Sequence, residues 1–273
     1  MSRKEATGLT VFFLIAFGIP WAGWTVLRDQ GLPYWLLPIF CSIAGFAASY
    51  AEGGVEGLRK FCQRTLHLGG TVKYILLAAL IPLMLGLLYL VITGASFDSF
   101  QPALKSGLGI TLALALVTGP LAEKFGWRGY LQTKLISYMR PIWVALTIGV
   151  IWCLWHLPLF YSSVFGTLQS ALGFVAFCIT WSIFLVYLVP RANGSIWPAV
   201  FLHWAVNTHA TILGALFPAL DGSQLPGGSN TTLLYALAAI VFVALYWRFF
   251  TSVQHPDATS NNSFKPNPLR GSA

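Results

Sequence analysis

The sequence predicts an all-α fold: a polytopic membrane helical bundle of about eight transmembrane helices, with both termini cytoplasmic. Three observations lead there. Of 273 residues, 56% are hydrophobic and only 9% are charged, whereas a soluble domain carries roughly 25% charged residues. Mean hydropathy is +0.71. Apolar runs recur along the chain, most of them close to the roughly 20 residues that cross a hydrocarbon core as a helix.

The runs fall at 8–27, 34–50, 74–93, 108–137, 142–160, 168–190, 195–218 and 231–250. The first is long and is followed by further spans, so it is read as a transmembrane helix and not as a cleaved signal. With the N-terminus inside, only Arg28 and Lys105 fall outside; the other 14 of the 16 Lys and Arg fall inside. That asymmetry orients the bundle. The net charge of +8 is accordingly assigned to topology and to anionic lipid headgroups, which makes membrane lipids the partner and nucleic acid not. Residues 1–250 are expected to form one bundle. The Ser-, Asn- and Pro-rich tail 251–273 is expected to be disordered. Residues 51–73, bounded by glycines, read as an interfacial helix on the cytoplasmic leaflet or as an ordinary loop. Cys41, Cys62, Cys153 and Cys178 show no CxxC spacing, and three lie in apolar runs. They read as small buried hydrophobes.

The fourth run carries the chemistry. It contains Gly119-Pro120, expected to kink the helix and free backbone groups, followed by Glu123, Lys124, Trp127 and Arg128. Glu123 is the only acidic residue between Asp98 and Asp221. A carboxylate at membrane depth is costly, and by default it marks a functional site. Two further polar sets lie in apolar runs: His156 in Trp152-Cys-Leu-Trp-His156, and His203 with Asn207 in His203-Trp-Ala-Val-Asn207. Residues four apart share a helix face. Glu123 lies 17 residues before Arg140 and His156 lies 16 after it. A hairpin turning at Arg140-Pro141 therefore sets both about 25 Å from the turn. His203 and Asn207 lie at comparable depth on the seventh run, so the four can meet in one chamber.

Two chemistries fit that set. A carboxylate beside imidazoles can hold a water and take its proton, while a His and an Asn donate to a developing oxyanion. Alternatively Glu123, His156 and His203 are candidate ligands of a divalent metal such as zinc. Either describes hydrolysis of an acyl compound such as a peptide bond. The sequence contains no HExxH, GxSxG or P-loop motif. His209, two residues past Asn207 and off its face, reads as structural, and His67 and His255 as solvated.

Glu-x-x-Gly-Trp-Arg-Gly-Tyr-Leu, then Trp-x-x-x-His, then His-x-x-x-Asn, in that order over residues 107–210, resemble the CPBP family. These are the CAAX prenyl endopeptidase type 2 and bacteriocin-processing proteins, also called Abi proteins. The resemblance implies an intramembrane endopeptidase, a CPBP-type glutamate protease or metalloprotease of a bacterial inner membrane, acting on a prenylated or membrane-anchored substrate. It implies Glu123 as the base that activates water, His156 sharing that water, and His203 and Asn207 as oxyanion partners, with Arg128, Lys124 and Trp127 in support. One departure stands out. The family pattern has a second Glu where this chain has Lys124, four residues before Arg128. Lys124 is expected to snorkel away, or to pair with Glu123, or to mark a catalytically impaired relative that serves as a membrane scaffold or bacteriocin-immunity protein.

Overall fold

A computed structural model describes residues 1–27, 30, 34–97, 100 and 107–253, with the side chains of 228–230 left aside. Arg28, Lys105, His255 and nearly all of the tail 251–273 lie outside the described residues. The described chain is helical and contains no strand. In chain order the elements are α1 (Arg3–Leu27), α2 (Ile39–Thr65), α3 (Val72–Ile92), α4 (Leu108–Leu135), α5 (Pro141–Trp155), α6 (Leu168–Arg191), α7 (Trp197–Leu216), α8 (Gly228–Leu245) and a short α9 (Trp247–Thr251). Among the described residues six helices are long and apolar enough to cross a membrane, and α5 and most of α8 are shorter apolar helices. The protein is a multi-pass helical membrane bundle.

The eight expected spans are present, with three changes at their ends. First, α2 does not stop near residue 50. Gly54 adopts φ 60° and ψ −148°, a conformation open to glycine, so the chain bends there and stays helical to Thr65. The expected helix over 51–73 therefore becomes the second half of α2, a turn, and the first residues of α3. This half of α2 is held to the bundle: Arg64 donates to the Gly129 carbonyl at 2.8 Å, and Phe61 packs against Phe125 and Phe46. Second, α5 ends at Trp155 rather than near 160, because Pro158 has no N–H and excludes a continuing helix before it. Third, the last expected span divides at Tyr246, whose φ of −110° and ψ of 27° separate α8 from α9.

Core packing is aromatic. Trp127 is enclosed by Phe12, Phe17 and Trp155 at ring distances of 5.6, 6.1 and 5.8 Å. Two indoles lock α1 to α5. Trp155 donates to the Ala16 carbonyl at 2.6 Å, and Trp21 donates to the Trp155 carbonyl at 3.0 Å. Each takes a carbonyl its own helix leaves open. Ala16 lies in a π-helical turn, Leu14–Gly18, and Trp155 ends α5. Rows of exposed apolar side chains along α3 and α8, such as Leu76, Leu80, Met84, Leu237 and Val241, are the lipid-facing surface such a bundle needs. All four cysteines are free thiols, and Cys41, Cys153 and Cys178 are buried, in keeping with their reading as hydrophobes.

Lys134 pairs with Glu52 at 2.6 Å and with Glu5 at 3.5 Å. The Ile196 amide donates to the Thr65 carbonyl at 3.0 Å. These contacts gather the N-terminus, the second half of α2, the end of α4 and the α6–α7 turn at one end of the bundle. It is the end that collects most of the basic residues.

Candidate functional site

α4 is not a uniform helix. Its first α segment, Leu108–Leu116, gives way to a π-helical turn at Val117–Leu121 that contains Gly119-Pro120. Three α residues follow, Ala122–Lys124, and then a second π-helical stretch, Phe125–Leu131. Single π turns inside α-helices recur at functional sites. The wider winding absorbs the proline and leaves carbonyls with no partner in the usual ladder. Neighbouring side chains take them up: Ser42 donates to Leu121 O at 2.9 Å and the Cys41 thiol to Glu123 O at 3.5 Å. The expected release of backbone groups near Glu123 is met, as a local rewinding in place of a kink. Close approach permits it, since a Cβ on Gly126 would collide with the Cys41 carbonyl.

Glu123 is 3% exposed. Its Oε2 accepts from the Trp152 indole N–H at 2.7 Å and lies 3.5 Å from Lys124 Nζ. Lys124 is fully buried, and its ammonium sits 4.2 Å from the centre of the Trp152 ring. Of the three expectations for Lys124, snorkelling is excluded by this placement: the side chain turns inward and pairs with Glu123. Trp152 also meets the two histidines, ring centre to ring centre at 5.7 Å for His156 and 5.4 Å for His203. One indole thus touches four of the expected site residues. The bond from Trp152 to Glu123 joins separate helices and was not among the sequence expectations. The position of Trp152 four residues before His156, on the same face, was the available signal.

His156 caps the C-terminus of α5. Its Nδ1 lies 2.8 Å from the Trp152 carbonyl. A carbonyl only accepts, so Nδ1 carries the proton and Nε2 presents a lone pair. Phe160, stacked at 5.3 Å, and Phe174, edge-on at 5.5 Å, hold the ring in place. His203 is buried and its Nδ1 has no hydrogen-bond partner. His203 and Asn207 both lie against Gly119, where an added Cβ would stand 3.3 Å from His203 Cε1 and 3.4 Å from Asn207 Nδ2. Bare backbone at Gly119 is what lets α7 bring these two side chains to the helix that carries Glu123. Asn207 is the exposed member of the set. It lies one turn further than His203 from the basic end.

Arg128 is also fully buried, and it reaches Ser182 at 2.8 Å and Gln132 at 3.2 Å. Trp127 packs α1 against α5, as described above, and makes no bond to Glu123. His209 is fully used: Nδ1 donates to Val206 O at 2.9 Å and Nε2 accepts from the Tyr235 hydroxyl at 2.7 Å. That agrees with its structural reading, and His67 is exposed as expected. Among the described residues no three His, Cys, Asp or Glu side chains gather as a metal-binding group. Glu123, His156 and His203 as placed do not make a three-ligand set, and an ammonium already stands beside the carboxylate.

Comparison with known proteins bears on the same segment. Residues 105–209 match the family model "Type II CAAX prenyl endopeptidase Rce1-like". A curated relative named CAAX prenyl protease 2, from Methanococcus maripaludis, is 24% identical over 154 residues. That alignment covers 52% of this chain and 55% of the relative, so the chain spans about half the length of the curated relative it matches. The stretch that supplies Glu123, His156, His203 and Asn207 is therefore matched by the Rce1-like family of type II CAAX prenyl endopeptidases, as its motifs suggested.

Proposed function

We propose that this protein is an intramembrane endopeptidase that hydrolyses a peptide bond of a prenylated or otherwise membrane-anchored substrate. The observation that carries the reading is a buried carboxylate, Glu123, held by the Trp152 N–H in a chamber that also contains His156 and His203. Glu123 takes a proton from water as it attacks the scissile carbonyl. The lone pair on His156 Nε2 accepts a hydrogen bond from that water and orients it, and the protonated Glu123 then delivers its proton to the leaving amine. His203 and Asn207, side by side at Gly119, donate to the oxyanion. Arg128, Trp127 and Lys124 support the site without touching the reacting bond. No step is routed through a metal, because the side chains do not assemble a three-ligand set. Both termini face the cytoplasm in this reading, and the host membrane is a bacterial plasma membrane. The lipid anchor of the substrate lies among the exposed apolar side chains that already face lipid.

A second reading is favoured by one observation. Lys124 stands where the family pattern has a second glutamate, and its ammonium lies beside Glu123 Oε2, where it can hold the carboxylate in an ion pair in place of a water. A chain so disarmed would act as a membrane scaffold or an immunity protein. The deciding experiment is cleavage of a fluorogenic prenylated CAAX peptide by the purified protein, run beside Glu123→Gln and Lys124→Glu. Cleavage that disappears in Glu123→Gln supports the peptidase. Cleavage seen only in Lys124→Glu identifies the impaired relative.

A further inference from the structure

A cavity of about 330 Å³ opens at the basic end of the bundle, among the helix ends that gather there. Its wall carries three cations, Lys60, Arg64 and Lys134, and two carboxylates, Glu5 and Glu52. Both carboxylates are already engaged. Glu52 accepts from the Tyr130 hydroxyl at 2.5 Å and pairs with Lys134 at 2.6 Å. Glu5 accepts from the Ser2 amide and the Tyr138 hydroxyl, each at 2.8 Å, and its other oxygen lies 3.5 Å from Lys134. The remaining two cations have donors to spare. Arg64 donates to the Gly129 carbonyl and forms no ion pair among the described residues. Lys60 stands 3.5 Å from Glu56, but both Glu56 oxygens accept from Arg59 at 2.7 Å, and Glu56 is not part of the cavity wall. The wall thus holds a surplus of one positive charge, and the open donors belong to Arg64 and Lys60.

Those two residues are four apart on the second half of α2 and share a face. Gly53 lines the same wall, and a Cβ added there would meet nothing within 4 Å, so a group can approach over bare backbone. The cavity's position points to its occupant. α2 ends at Thr65, α4 ends at Leu135 and α1 begins at Arg3, so the cavity lies at the level of the helix ends, where a leaflet carries its phosphates. Leu66, Leu68 and Tyr138, just beyond Arg64 and Lys134, are exposed, as apolar side chains at a headgroup boundary are. An arginine fork matches the paired oxygens of a phosphate, and a lysine beside it adds a point charge. We propose that this cavity binds one monoanionic phosphate group, that of a phospholipid headgroup, between Arg64 and Lys60. Arg64 also holds Gly129 in the second π-helical stretch of α4, so the bound lipid fastens the second half of α2 to α4. The site lies outside the chamber and does not depend on the peptidase reading.

The test reads binding and not cleavage, so failure of the peptidase reading leaves it intact. The purified protein, in a neutral detergent at constant ionic strength, receives phosphatidylglycerol, inorganic phosphate or oleate. Phosphatidylglycerol should raise the melting temperature saturably by about 3 °C, and native mass spectrometry should show one lipid retained per chain. Lys60→Gln, at an exposed position, should weaken that binding about fivefold, and Arg64→Gln by at least as much. Inorganic phosphate that displaces the lipid shows that the phosphate group is what is recognised, and a lipid retained against it assigns the site to the membrane-borne phosphate alone. Stabilisation by inorganic phosphate with no lipid retained overturns the lipid as the source. Oleate, an anionic amphiphile without phosphate, should change nothing, and equal stabilisation by oleate overturns the proposal. So does an unchanged melting temperature with phosphatidylglycerol, or a Lys60→Gln protein that binds it like the wild type. Lys60→Gln carries the test should Arg64→Gln not fold.

Discussion

Two charged clusters in this molecule use the same kinds of side chain to opposite ends. At the basic end, Lys134 stands between Glu52 and Glu5, with Tyr130 donating to Glu52 at 2.5 Å and Tyr138 to Glu5 at 2.8 Å. Lys134, Glu5 and Glu52 each have a partner of opposite sign there, and all three remain partly exposed. In the chamber, Glu123, Lys124 and Arg128 are buried, cations outnumber the carboxylate, and His203 Nδ1 and Arg128 Nε are left without partners. The first arrangement is what a fold adopts to tie helix ends together. The second is costly unless it serves a ligand or a reaction. What separates the two clusters is burial and charge balance: Lys134 meets two carboxylates near the surface, whereas two fully buried cations share one buried carboxylate in the chamber.

That contrast can be broken experimentally, and the largest effect should come from the chamber. Glu123→Gln keeps the size of the side chain and its bond to Trp152 but removes the base. Cleavage of the prenylated peptide should fall by about 10³-fold or more, with insertion and melting temperature little changed. His156→Ala and His203→Ala should each cost roughly 10²-fold or more in kcat/KM. A loss confined to KM would move those residues from chemistry to substrate binding. Chelation of divalent metals should leave cleavage unchanged, and restoration of activity by one particular metal would overturn the metal-free mechanism.

The structural side should respond in the other currency. Tyr235→Phe deprives His209 Nε2 of its donor and should destabilise the bundle by about 1 kcal/mol, read as a lower melting temperature with kcat unaffected. Lys134→Ala breaks the latch at the basic end. It should cost no more than about 1 kcal/mol, since partly exposed pairs contribute little. A large loss of cleavage in Lys134→Ala would show that the two clusters are coupled and that their separation is wrong.

Much of this was legible in the sequence because it is local. Hydrophobic runs of membrane length are visible in composition alone, and eight of them correspond to α1 through α8. Glu123 stood out as a lone carboxylate in an apolar run, and helical spacing put His203 and Asn207 on one face. The meeting of these residues was also foreseeable, since distance from a hairpin turn follows from helical rise. The partners were not. Ser42 on Leu121 O, Trp152 on Glu123 and Ser182 on Arg128 join residues 79, 29 and 54 positions apart, and no periodicity encodes such pairs.

Lys124 shows the boundary most clearly. Its sequence position admits a side chain reaching toward the interface or one folded inward, because a lysine has the length to do either. The choice fell to tertiary packing: the face of Trp152 and the carboxylate of Glu123 offer the ammonium two attractions in a low-dielectric site. The bend at Gly54 was decided in the same way, where a glycine that could have ended a helix only turned it, because Phe61 and Arg64 beyond it dock on α4. By itself the sequence determined the apolar spans and the spacing of the polar residues along them, since these depend on composition and spacing along one chain direction. Only the tertiary structure decided which of those residues pair and which are left with groups unmet, since that depends on side chains from separate helices competing for the same few donors and acceptors.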